Sequence, residues 1–134
     1  MDTATVKWVS GEEFTAKLPS GHLVPFDADR KHNSAPGPME MLLGALGACT
    51  SVDVVMILAK KRQKLTSLEI DISGERANEP PKVWTKIEMV YRLAGTLEDK
   101  AVRDAIELSQ FKYCSVAAML RKTAEITYRF EIVS

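Results

Sequence analysis

The stretch PMEMLLGALGACTSVDVVMI, residues 38–57, constrains this chain more than any other. Pro38 suits the first turn of a helix, where its missing N–H costs nothing. The basic run KKRQK that follows stands where a helix C-terminus favours cations. Together these signals predict one helix from Pro38 to about Arg62, on the order of 37 Å long. It is apolar nearly all round, which predicts burial on several sides. Gly44, Gly47 and Ala48 remove side-chain bulk. Glycine inside a helix costs up to about 1 kcal/mol relative to alanine, so the pair asks for a closely packed neighbour. A second copy of the same helix, giving a homodimer, and the later helices of the same chain both answer that demand. A membrane span is weighed down by Glu40, Thr50, Ser51 and Asp53, because a mid-span aspartate is costly in lipid.

The 134 residues fit one domain, 1–134, and a 46% hydrophobic fraction suffices for a core. Eighteen basic side chains balance 18 acidic ones, which gives no electrostatic reason to expect nucleic acid or an acidic membrane surface. The N-terminal MDTATVKWVS carries an early acidic residue and no apolar leader, so the expected location is cytoplasmic.

Around the long helix the chain alternates. TATVKWVS, EFTAKL and HLVPFDA read as three short strands joined by turns at Ser10-Gly11 and Pro19-Ser20-Gly21, with Pro25 marking the third as an edge. DRKHNSAPG is a loop. SLEIDISGER and KVWTKIEMVYRLAG alternate cleanly and predict a long hairpin. In the second of these, Val83, Thr85, Ile87, Met89 and Tyr91 share one face, and Trp84, Lys86, Glu88 and Val90 the other. Thr96 and Asp99 predict a capping box for a helix with Val102, Ile106 and Leu108 on its apolar stripe. A break near QFKYC, a short helix SVAAMLRKTA and a final strand EITYRFEIVS complete an α+β order, βββ-α-ββ-αα-β.

Two cysteines carry the candidate chemistry. His22 and His32 lie outside any ligand spacing, and a structural zinc site needs about four clustered ligands, so no metal is expected. Ala45, Leu46, Val52 and Asp53 share the helical face of Cys49. Cys114 begins a helix with Lys112 just before it, and both features stabilise a thiolate, which makes Cys114 the more acidic candidate. Each cysteine can equally be a small buried hydrophobe.

PGPMEMLLGALGACTSVDVV and SQFKYCSVAAML resemble the two cysteine motifs of the OsmC/Ohr family, the osmotically inducible and organic hydroperoxide resistance proteins, and come nearest to its YhfA-like branch. The likeness covers nearly the whole chain. It implies the OsmC-like fold, with antiparallel β-sheets around a long central helix, and an intertwined homodimer with sites at the dimer interface. It also implies that Cys49 attacks a peroxide and becomes a sulfenic acid, that Cys114 resolves it as a disulfide, and that an external thiol reduces the disulfide. No metal or organic cofactor is needed. The chain departs from the family pattern at three places. Met39 stands where active peroxidases carry a glutamate, with Glu40 one residue late. No arginine precedes Arg30, and Arg30, Lys31 or a residue from the other subunit would have to substitute. The second motif reads Cys114-Ser115, not Cys-Pro.

The expected function is therefore thiol-dependent reduction of organic hydroperoxides by Cys49 and Cys114, with Met39, Met56 and Phe111 as the lining of an apolar pocket. The alternative is a non-catalytic OsmC-like dimer that senses redox state or binds a small ligand. The expected partners are a second copy of the chain, a small organic hydroperoxide and a thiol reductant.

Overall fold

Alternation and tight turns build the first sheet. In the computed structural model, which describes residues 1–133, β1 (Thr5–Ser10), β2 (Glu13–Lys17) and β3 (Leu23–Asp27) form an antiparallel meander in the order β1-β2-β3. Gly11 takes a positive φ of 54° at the first turn, a conformation that costs glycine little. Pro25 pairs opposite Thr15 on edge strand β3, where a missing ladder donor is tolerated. A loop then leads to α1 (Pro38–Lys60). The Gly37 N–H donates to Glu40 Oε1 at 3.1 Å, so Glu40 reaches back to cap the helix that Pro38 opens.

Contacts divide the chain into two compact units, Met1–Leu42 and Leu43 onward. The second unit holds most of α1 and a second sheet of order β4-β5-β6, from β4 (Lys64–Arg76), β5 (Trp84–Thr96) and β6 (Glu125–Val133). The expected β4–β5 hairpin is antiparallel throughout. The β5–β6 pair departs from the antiparallel expectation and runs parallel. Parallel neighbours need a crossover of a dozen or more residues, which α2 (Asp99–Leu108), a π-helical turn (Ser109–Tyr113) and α3 (Ser115–Leu120) supply.

Three local points refine the expectations. First, within the single chain α1 buries a narrow stripe, Leu46, Thr50, Val54 and Leu58, at the i, i+4 spacing, and leaves Val52, Val55 and Met56 exposed. Gly47 explains part of its glycine content within the chain: a Cβ there would lie 2.9 Å from Ile72 Cδ1 on β4, whereas one at Gly44 would meet open space. Second, Trp84 is buried on the same side as Ile87. The β4–β5 register skips Thr85 at a bulge, which moves Trp84 to the other face. Third, Thr96 is the last residue of β5, and α2 starts at Asp99 after Glu98. The Glu98 N–H is instead satisfied by Gln63 Oε1 at 2.7 Å, and Asp99 pairs with Arg103 one turn on.

The end of α1 places Gln63 for that role. The Gln63 N–H bonds Leu58 O and the Arg62 N–H bonds Ala59 O, with Arg62 at a φ of 57°. This is a Schellman closure with arginine at the position glycine usually takes. Among the described residues, α1 alone is long and apolar enough to cross a membrane, with a mean hydropathy of 2.0.

Candidate functional site

Both cysteines lie in the second unit. Cys49 sits one residue before the buried Thr50 on α1 and is half-buried. Cys114 follows the π-helical turn, is 3% exposed, and is the N-cap of α3, where its Sγ accepts the Ala117 N–H at 3.4 Å. The two thiols are neighbours.

The environment of Cys114 works against the thiolate that its helix start and Lys112 suggest from the sequence. Burial pushes it up to about 11, and the neighbouring Cys49 and Asp53 push the same way. The Ala117 N–H pulls in the other direction, as a helix start should, and is outweighed. At neutral pH Cys114 is therefore a protonated thiol held inside the protein.

A buried polar chain runs beside the pair. Thr50 Oγ1 lies 2.8 Å from Tyr91 OH and 2.7 Å from Ser109 Oγ. Ser109 Oγ donates to Asp53 Oδ2 at 2.8 Å, and Gln110 Nε2 donates to Tyr91 OH at 2.6 Å. Each hydroxyl has one proton, and a carboxylate only accepts. Ser109 spends its proton on Asp53, so Thr50 must donate to Ser109 and Tyr91 to Thr50. The Arg121 guanidinium enters at the far end, donating to Gln110 O and Gln110 Oε1, each at 2.6 Å. Along this chain the bonds point one way, from Arg121 to Asp53, with side branches from Ser109 Oγ to Thr50 O and from Gln110 Nε2 to Met89 Sδ. Burial, the largest influence, pushes the Tyr91 phenol up, so its proton stays in place.

The π-helical turn makes this possible. Its wider winding carries both Ser109 and Gln110 inward, each buried, immediately before Cys114. The sequence presented this segment as a chain break. Nothing in the 3.6-residue period of α2 places two consecutive polar residues inside, and so Ser109, Gln110 and their partner Tyr91 escaped notice. Thr50 and Asp53, polar residues in an apolar helix, were the legible signal.

The three expected pocket residues differ in exposure. Phe111 is 69% exposed and lies in a cleft of about 300 Å³ that Cys114 also lines, together with Lys112, Arg121 and Lys122. Arg121 stacks over the Phe111 ring at 4.8 Å. Met56 is 55% exposed and is not part of this cleft. Met39 is half-buried in the first unit.

The candidate substitutes for the family arginine and glutamate are engaged locally in the first unit. Arg30 donates to the carbonyls of Asp27 and Ala35, and Glu40 caps α1 and pairs with Arg30 at 3.7 Å. The same unit holds a cluster the sequence did not suggest: ligand-type atoms of Glu13, Asp27 and His32 lie within 4.8 Å of one another. The fully buried Asp27 carboxylate takes bonds from the Ser34 N–H at 3.0 Å, the Ser34 hydroxyl and His32 Nδ1 at 2.9 Å, and the Asp29 N–H at 2.9 Å. Its lone pairs are thus spent on ordering the loop rather than open to a cation.

The OsmC-like protein family matches residues 31–129. Protein YhfA of Escherichia coli K12 is 43% identical over 132 residues, covering 98% of each chain. A solved structure of a hypothetical protein from Aquifex aeolicus superposes with a TM-score of 0.85 at 32% identity, over 100% of this chain and 98% of that one. An organic hydroperoxide resistance protein from Legionella pneumophila superposes with a TM-score of 0.73 over 98% and 96% of the two chains. At 12% identity, that last likeness speaks for the fold alone.

Proposed function

The chain belongs to the OsmC-like family, and on that premise we propose that it is a thiol-dependent peroxidase acting on organic hydroperoxides. The observation that carries the reading is the pair itself: a half-buried Cys49 beside a buried, protonated Cys114. The accessible sulfur suits attack, and the enclosed one suits resolution. The Cys49 thiolate attacks one peroxide oxygen, the O–O bond breaks, and the alcohol leaves with a proton. Cys114 then attacks the sulfenic sulfur, and water leaves as the disulfide forms. Two equivalents of an external thiol restore both cysteines, so the cycle converts one hydroperoxide and two thiols to alcohol, water and one disulfide. It runs on sulfur alone.

The same reading places the protein in the cytoplasm, where a reduced thiol pool sustains the cycle. It also takes the active form to be a homodimer. The exposed apolar side chains of α1, Val52 at 63% and Met56 at 55%, support that assembly. Sedimentation at micromolar concentration tests it: a monomer would remove this part of the reading.

One equivalent of cumene hydroperoxide added to reduced protein tests the chemistry. Two thiols should disappear within seconds with a loss of two hydrogens in mass. Cys114→Ser should trap a sulfenic acid, and Cys49→Ser should slow the reaction by at least about a hundredfold. Thiols that survive as in a denatured control would sink the proposal. They would favour the second reading, a redox-sensing or ligand-binding dimer, which is supported by the engagement of Glu40 and Arg30 in capping and loop bonds.

A further inference from the structure

The cleft beside Cys114 has a chemical character that the peroxide step does not use. Its wall carries Lys112, Arg121 and Lys122 and no carboxylate, with the ring of Phe111 as its apolar face. Arg121 is fixed by its bonds to Gln110 and its stacking on Phe111, and Lys112 lies over the Tyr113 ring at 5.2 Å. Among the described residues, none of the ion pairs involves these three cations. The chain as a whole is neutral, so three cations lining one cleft are a local feature, with Asp104 and Glu107 on the adjoining cleft that Lys112 also lines. The lining includes Cys114, through its 3% exposed surface, and not Cys49, so the cleft lies on the Cys114 side of the thiol pair.

We propose that this cleft receives the reductant, and that the reductant is a small thiol carrying a carboxylate or other anionic group. The inference rests on the two-cysteine cycle. The anion sits among Lys112, Arg121 and Lys122, and the thiolate of the same molecule attacks Cys114 Sγ. A bond forms between those sulfurs, the Cys49–Cys114 bond breaks, and Cys49 leaves as thiolate. A second thiol attacks the sulfur of the bound reductant, forms the oxidised disulfide product, and gives its proton to Cys114. Electrons balance at two thiols oxidised per protein disulfide reduced.

The test starts from protein oxidised with diamide, which makes the disulfide without any peroxide. Its reduction is timed with 3-mercaptopropionate, 2-mercaptoethanol and cysteamine, which are anionic, neutral and cationic, each rate being divided by the thiolate fraction. The anionic thiol should be faster than the neutral one by on the order of tenfold at low salt, and the cationic one slower, with the spread shrinking as salt is added. The exposed pair Lys112→Gln and Lys122→Gln should collapse the spread, bringing the rate with 3-mercaptopropionate down to that with 2-mercaptoethanol in the same variant. Equal rates for the three thiols, or a spread that survives the double substitution, would overturn the proposal while the peroxidase reading stands. Failure of diamide to form the intramolecular disulfide would break the two-cysteine cycle, and the cleft proposal with it.

Discussion

In the first unit, Asp27 collects its donors from residues 29, 32 and 34, none more than seven positions away. In the second, Thr50 meets Tyr91 across 41 positions and Ser109 across 59. The contrast follows from what each cluster has to bury. A charge needs several strong donors, and a loop supplies them from successive backbone N–H groups, so a fully buried carboxylate can be assembled locally. The cluster beside the cysteines is assembled from a helix, a strand and a π-helical turn. Such elements bring side chains rather than free backbone N–H groups, so it is built of hydroxyls and an amide, with its charges kept to the two ends, Arg121 and Asp53. The first cluster shapes a loop. The second exists only when the helices and sheet are packed, and it holds the frame around the thiol pair.

Asp27→Ala should therefore produce the largest and most local effect. It leaves the Ser34 and Asp29 N–H groups without their acceptor, and bonds to a charged acceptor are the strong ones. Amide exchange at those two residues should accelerate by on the order of a hundredfold, with the second unit unaffected. Protection that persists would mean the loop is held by something other than the carboxylate. Asp27 lies well below the usual carboxylate range, chiefly through the Ser34 N–H, so its contribution is present above about pH 4 and is lost as pH falls through its lower folded value.

Tyr91→Phe should come next, and its signature should be global. It removes the central hydroxyl of the chain, leaves Gln110 Nε2 with only Met89 Sδ as acceptor and takes the donor from Thr50 Oγ1, at a cost of about 1–2 kcal/mol. Denaturant unfolding reads that cost. The directional chain adds a sharper outcome: Thr50→Val should cost less in the Tyr91→Phe background than in the native protein, because the relay is already cut. Strict additivity would show that the bonds act independently.

A smaller effect separates the two regions by pH. His32 is raised above its ordinary 6.5, first by its hydrogen bond to Asp27 and then by the charge of Glu13. A raised histidine contributes stability that is fully present below about pH 6.5 and is lost as pH rises through its higher folded value. Exchange protection of the first-unit loop should weaken across that window, and His32→Gln should flatten the dependence. A slope that persists in His32→Gln would assign it to another group.

What could be read in advance divides along similar lines. Period-two alternation and turn residues marked all six strands, and Pro38 fixed the start of α1, because those signals are written in adjacent residues. The β5 face near Trp84 was misassigned because a bulge at Thr85 shifts the phase without any residue that announces it. The capping of α2 was missed because its acceptor, Gln63, comes from 35 positions away. Cys114 illustrates the general case at the candidate site. Its helix start was legible, and the Ala117 N–H there does pull toward the thiolate, but the burial that outweighs it is set by packing, which neighbouring residues do not encode.

The smallest predicted effect probes the role assigned to Gly47. An alanine there gains up to about 1 kcal/mol of helix propensity over glycine. Its Cβ would come within 2.9 Å of Ile72 Cδ1, the free end of a side chain that can rotate away at some cost in packing. The two terms offset, so Gly47→Ala should change stability by less than about 0.5 kcal/mol, and pairing it with Ile72→Val should make it stabilising. At Gly44, where a Cβ meets open space, alanine should stabilise the isolated chain outright. If Gly44→Ala instead lowers the melting temperature while Gly47→Ala does not, the open space at Gly44 is filled in solution. The small residues of α1 would then serve two different neighbours, β4 of the same chain at Gly47 and a second copy at Gly44.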